Sequence, residues 1–140
     1  MNITLEQANQ IITLALQRAT GAGHQPMAVV VLDASGHTKA AQRQDGASMF
    51  RIDIATGKAW ASIAMGAASR VLTQRAKDLP AFFGALAATG NGKFIPQTGA
   101  VLIKDAQGQV IGAAGASGGT GDEDEAICIA GIEAAGLKSG

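Results

Sequence analysis

The stretch Met27–Arg43, MAVVVLDASGHTKAAQR, decides how this chain folds. Val29, Val30 and Val31 are consecutive, which suits a strand buried on both faces rather than one with a wet side. Asp33-Ala34-Ser35-Gly36 supplies turn chemistry: an aspartate that can bond nearby backbone N–H groups, then a glycine. His37–Arg43 reads as the returning strand, so the stretch is a β-hairpin. The pattern recurs. Asp105-Ala106-Gln107-Gly108 separates Ala100–Lys104 from Gln109–Ala116, giving a second hairpin of similar design. D-A-x-G is good turn chemistry in its own right, and the recurrence is read that way rather than as internal duplication.

Working outward, the flanks are helical. Thr4 and Gln7 match a capping box, in which the two side chains satisfy free backbone donors at a helix start. Leu5, Ala8, Ile12, Ala15 and Ala19 follow at helical spacing, widened by Ile11 and Leu16, and Gly21 and Gly23 stop the helix. Between the hairpins, Gln44-Asp45-Gly46 punctuates the chain and Ser48 is a candidate cap. Ile52, Ala55, Ala59, Ile63 and Gly66 then share a helix face. Ser69–Lys77 and Pro80–Ala88 are shorter helices, the second opening at proline. Gly90-Asn91-Gly92 and Pro96 mark a loop, and the last helix is expected from about Asp122 to Ala135. Short hairpins imply antiparallel pairing. The expectation is therefore an α+β domain, an antiparallel sheet with helices packed on it, spanning 1–140 without a linker.

Composition narrows the function classes. Eleven basic residues balance 11 acidic ones, which argues against a nucleic-acid binder. The single cysteine, Cys128, forbids an internal disulfide and a cysteine zinc cluster, and its setting in AICIAG suits a small buried hydrophobe. No window is long and apolar enough for a membrane span, and MNITLEQANQ lacks the features of a signal peptide, so a cytoplasmic location is expected.

The chemistry concentrates in Val110–Asp124, VIGAAGASGGTGDED. It is not a P-loop, since no Gly-Lys-Ser/Thr follows, and too little chain remains for a dinucleotide-binding unit. Asp122, Glu123, Asp124 and Glu125 occupy the helix start, satisfy its dipole and would repel a phosphate. Thr120 and Glu123 fit a second capping box. The stretch is either a close-packed corner or the floor of a ligand site. Of the two histidines, His24 enters the first strand and His37 leaves the turn; either could ligate haem iron if the fold placed it in a pocket. Arg43 ends a strand, Asp45 precedes a helix, and Lys58 sits in an otherwise apolar helix. A lysine there commonly snorkels to the edge. Facing inward, it would need a partner such as Asp45 or Asp124 and could hold a carboxylate. Ser117 lacks the nucleophile elbow of a hydrolase.

Five stretches in order, MAVVVLDASG (27–36), RQDGA (43–47), GKAW (57–60), PAFFGAL (80–86) and GASGGTGDED (115–124), resemble the GlcG/HbpS family, which includes the C-terminal domain of PduO-type proteins. The resemblance covers nearly the whole chain. It implies a profilin-like fold, a five-stranded antiparallel sheet flanked by helices, in a homo-oligomer. It also implies a small-molecule binder, with haem as the possible cofactor in a sensor, carrier or haem-handling role. The alternative is a small enzyme acting on an organic acid in a catabolic operon, with Lys58 and Arg43 binding the carboxylate and Asp124 as acid/base. Partners are then a small molecule, haem or organic acid, and further copies of the chain, with no nucleic acid, membrane or metal ion. Carried over residue by residue, Arg43, Asp45, Gly46, Lys58, Ser117, Gly118, Gly119 and Asp124 are expected around one pocket. Thr120 is expected to join the ligand-binding set. His24 is the candidate haem ligand, and Phe50, Trp60, Phe82, Phe83 and Phe94 are the rings available for a haem wall. Glu123 departs from the family pattern, which often has glutamine before the aspartate, and Ala100 replaces a common glycine.

Overall fold

Helix α1 (Leu5–Gly21) begins where the capping box places it: Thr4 Oγ1 accepts from Gln7 N and Gln7 Oε1 accepts from Thr4 N. The computed structural model describes residues 1–140. Strands β1 (Ala28–Asp33) and β2 (Thr38–Arg43) form the first hairpin, and β3 (Ala100–Lys104) and β4 (Val110–Ser117) the second. The two turns are built alike. Asp33 Oδ1 accepts from Ser35 N and His37 N, and Asp105 Oδ1 accepts from Gln107 N and Gln109 N. The His37 N–H holds the Asp33 carboxyl below the ordinary carboxylate range.

Helix α2 (Phe50–Met65), α3 (Ser69–Asp78) and α4 (Pro80–Thr89) fill the interval between hairpins, and α5 (Gly121–Ala134) follows β4. Ser48 does not cap α2. Met49 holds that position with no side-chain bond, and Ser48 contributes only its carbonyl, to Arg51 N. A two-residue strand, β5 (Lys138–Ser139), completes a five-stranded sheet in the order β2-β1-β4-β3-β5, antiparallel throughout. The fold is mixed α+β, as the hairpins and the resemblance led us to expect.

The three valines of β1 explain the layering. Val29 and Val31 face α1 and α5, sharing a core with Ile11, Ile12, Ile127 and Ile132, while Val30 faces Ala55 and Ala59 of α2. Full burial of such a side chain stabilises by about 1.5–3 kcal/mol, so a strand that fills both layers fixes the sheet between them. The α2 layer is thin because the sheet lacks a side chain there. A Cβ on Gly115 would lie 2.3 Å from Ala55 O, so only glycine allows α2 this close. That approach brings α2 to the end of β4, where the polar residues collect.

Candidate functional site

The turn Ser117–Thr120 carries β4 into α5. Gly118 has φ +147°, and a Cβ there would lie 2.4 Å from Pro26 O at the entry to β1, so the turn is locked against the first hairpin. Thr120 caps α5: its Oγ1 accepts from Glu123 N, and Glu123 Oε1 accepts from Thr120 N. The stretch is thus a close-packed corner, and it also borders two recesses.

On one side lies a buried ion pair. Asp124 turns under the sheet end, with Oδ1 accepting from Gly119 N at 2.9 Å and Oδ2 from Lys58 Nζ at 3.0 Å. Lys58 Nζ also donates to Ala116 O at 3.1 Å. The two side chains are 7% and 2% exposed, so Lys58 faces inward and Asp124, not Asp45, is its partner. Gly99 makes room for the ammonium, since a Cβ there would come within 2.6 Å of Nζ. Burial raises the Asp124 carboxyl above its ordinary value of 3.8, while the Lys58 charge and the Gly119 N–H pull it back down. Beside the pair is a cavity of about 470 Å³, lined by Arg51, Lys58, Thr98, Ser117, Gly119, Thr120, Asp122 and Asp124 among others. Arg51, which the sequence reading passed over, enters from the first turn of α2 and donates to Ser117 Oγ at 3.4 Å. Its signal was available: it stands seven residues before Lys58, two helical turns along one face.

On the other side, His24 lies in a groove of about 550 Å³ with Leu16, Thr20, Pro26, Gln42, Arg43, Gln44 and Asp45. His24 is 18% exposed, with Nδ1 3.1 Å from Glu123 Oε2. Arg43 Nη1 donates to Ala47 O at 2.5 Å. The residues expected around one pocket are therefore divided. Arg43 and Asp45 border the His24 groove; Lys58, Ser117, Gly119, Thr120 and Asp124 border the ion-pair cavity; Gly46 and Gly118 meet Arg51 at a smaller recess between them. The division follows from β2, an edge strand that carries Arg43 away from the α2 side of β4.

None of the five aromatic rings reaches the His24 groove, so the expected haem wall is not built from them. Phe50 and Trp60 border a separate cavity, and Phe83 and Phe94 pack together in a small core under α3 and α4. His37 is 82% exposed in its turn. Cys128 is fully buried, burial pushes its thiol upward, and its Sγ contacts Gly99 O.

The α5 acids are nearly all matched. Arg70 of α3 pairs with both Asp122 and Glu125, His24 faces Glu123, and Lys58 holds Asp124. No helix is long and apolar enough to cross a membrane.

Comparison with known proteins agrees with this fold. The chain is 26% identical to the corrinoid adenosyltransferase PduO of Citrobacter freundii over 139 residues, 99% of this chain but 41% of PduO. It thus spans about two-fifths of the length of that relative. A crystal structure of a PduOC–heme complex superposes with a TM-score of 0.86 at 27% identity, covering 100% of this chain and 98% of the other. The ORFY protein of Klebsiella pneumoniae gives a TM-score of 0.86 at 28% identity, covering 96% and 90%. The family model described as haem degrading protein HbpS-like matches residues 3–133, and the chain, with its paired hairpins and its glycine turn into α5, belongs to the HbpS-like family.

Proposed function

We propose that the chain binds haem in the groove between α1 and β2, with His24 as the iron ligand. The observation that carries this is the His24–Glu123 contact, 3.1 Å from Nδ1 to the carboxylate. A metal-ligating histidine commonly gives its other ring N–H to a carboxylate, which fixes the tautomer and raises the basicity of the ligating nitrogen. Glu123 can serve because its second oxygen is already tied to Thr120 N. The proton then sits at Nδ1 and Nε2 is left for iron. Arg43 at the groove rim supplies a cation for a propionate carboxylate. Leu16 and Pro26 supply the apolar contact, and the other lining residues are polar, so the donor set fits a haem left partly in solvent. Bound haem brings a redox-active iron centre. An open groove with one protein ligand suits reversible holding, as in sensing, carriage or haem handling. The family description and the haem complex of PduOC support the same reading.

Self-association belongs to this proposal. Met49, Phe50, Leu79 and Phe82 are more than half exposed, which gives further copies of the chain apolar surface to cover. The test of the haem assignment is a haem titration followed at the Soret band, with His24→Gly and added imidazole. Wild-type protein should give a saturable band that His24→Gly loses and imidazole restores. A full band in His24→Gly without imidazole overturns the assignment.

One observation favours the second reading, an enzyme for an organic acid: the Asp124 carboxyl holds its proton more tightly than usual on the wall of a polar cavity. Asp124 would be the acid/base and Lys58 would hold the carboxylate. Arg43 borders the other groove and would not share that carboxylate within one subunit. A pH–rate profile that disappears in Asp124→Asn is expected; unchanged turnover sinks this reading.

A further inference from the structure

The ion-pair cavity has a cation left over. Lys58 is matched by Asp124 and by Ala116 O, and Arg70 outside the cavity is matched by Asp122 and Glu125. Arg51 has no carboxylate within ion-pair distance, although it is partly buried. Its contact on the cavity wall is the long 3.4 Å bond to Ser117 Oγ. A guanidinium presents a planar fork of donors that matches a carboxylate with two parallel bonds. Around it the wall is polar, with Ile54 the single hydrophobic residue.

We infer that this cavity is a binding site for a small organic monocarboxylate, held by Arg51 with Ser117 and Thr98 beside it. The site is distinct from the His24 groove and does not depend on the haem reading. Two observations set the class of ligand. Asp122 and Asp124 lie on the same wall, so a second negative charge would meet two carboxylates, whereas one neutralises Arg51. Four backbone donors at the turn are also occupied, and the two that remain at the start of α5, Gly121 N and Asp122 N, stand beside the Asp122 carboxylate, which disfavours a dianion such as phosphate. Gly119 N and Thr120 N bond to Asp124 and Glu123, and Glu123 N and Asp124 N bond to Thr120. Lys58, the carboxylate holder in the organic-acid reading above, has its ammonium already engaged by Asp124 and Ala116 O, so this inference rests on the same cavity and moves the anchor to Arg51.

The experiment is an amide NMR titration of haem-free protein with sodium acetate, and separately with phosphate and chloride, at constant pH and ionic strength. Acetate should shift the Thr98, Ser117 and Gly119 amides saturably. Arg51→Gln and Arg51→Ala should abolish those shifts, and Arg51→Lys, which keeps the charge and loses the fork, should weaken binding by about tenfold. His24→Ala should leave them unchanged, whatever becomes of haem. Absence of saturable acetate shifts, equal shifts in a folded Arg51→Gln, or equally tight phosphate binding would each overturn the assignment. Melting curves identify which Arg51 variants are folded.

Discussion

The two recesses beside the glycine turn are organised by consecutive residues, Glu123 and Asp124. Neighbouring positions on a helix do not share a face. Glu123 therefore looks outward to His24 with its side chain 39% exposed, while Asp124 looks under the sheet to Lys58 at 2%. The same chemistry, a carboxylate beside a cationic or protonatable nitrogen, has different consequences in the two places. At the groove the pair stays near water, and in the proposed role the second ring nitrogen of His24 is the one that takes a ligand and releases it. In the interior both charges have left water, and each is needed to offset the other's desolvation. The inner pair ties α2, β4 and α5 together; the outer pair is free to be used.

The largest expected effect separates these roles. Lys58→Met leaves Asp124 buried without its cation and should destabilise the fold by about 3 kcal/mol at neutral pH. The deficit should shrink as the solution is acidified. Burial already places the folded value of Asp124 above 3.8, and without Lys58 it rises further. The native state then binds the proton more tightly than the unfolded chain, so stability rises as pH falls through that folded value. The double variant Lys58→Met/Asp124→Leu should recover to within about 1 kcal/mol of wild type, because a well-packed apolar pair avoids the desolvation. Urea unfolding at pH 7.5 and 5 measures all of this. A deficit that is the same at both values, or one the double variant does not relieve, would mean that the inner pair is no different from a surface contact.

A smaller change tests the outer pair. Glu123→Gln keeps an oxygen to accept from Thr120 N, so the α5 cap survives, but it removes the charge beside His24. Haem affinity should fall by about tenfold, the low end for loss of an outer-shell partner. Stability should stay within about 0.5 kcal/mol, as for surface changes generally. Unchanged haem affinity would remove Glu123 from the site. The smallest effect is expected at Cys128, under the inner pair. Burial pushes this thiol upward, so native protein at pH 8 should resist iodoacetamide and react only on unfolding. Ready labelling of native protein would show that the interior beneath the cavity opens.

Much of this was legible in the residues. The hairpins could be read because Asp33 and Asp105 each bring their turn's donors to one carboxylate, a local pattern. The starts of α1 and α5 were marked by capping boxes. The start of α2 was not, since Met49 has no capping side chain and nothing local distinguishes it from Ser48. β5 is two residues long and exists through its pairing with β3, so no periodicity could announce it. At the site, Asp124 was among the named partners for an inward Lys58, because a buried lysine needs a carboxylate. The pairing of His24 with Glu123 depends on where the β1 entry meets the α5 cap, and no spacing in the chain encodes that. Arg51 shares a face with Lys58 by its spacing, but an arginine near a helix start reads as surface, and only the cavity beside it gives that spacing a meaning. The single expected pocket became two because motif order does not reveal which side of the sheet an edge strand serves.

The central claim is that the groove, and not the ion-pair cavity, takes haem. Parallel haem titrations of His24→Ala and Arg51→Ala, followed at the Soret band against wild type, test it most directly. The account predicts that His24→Ala loses the saturable band while Arg51→Ala keeps it at wild-type affinity. A band preserved in His24→Ala and lost in a folded Arg51→Ala would contradict it and move haem to the other side of the glycine turn.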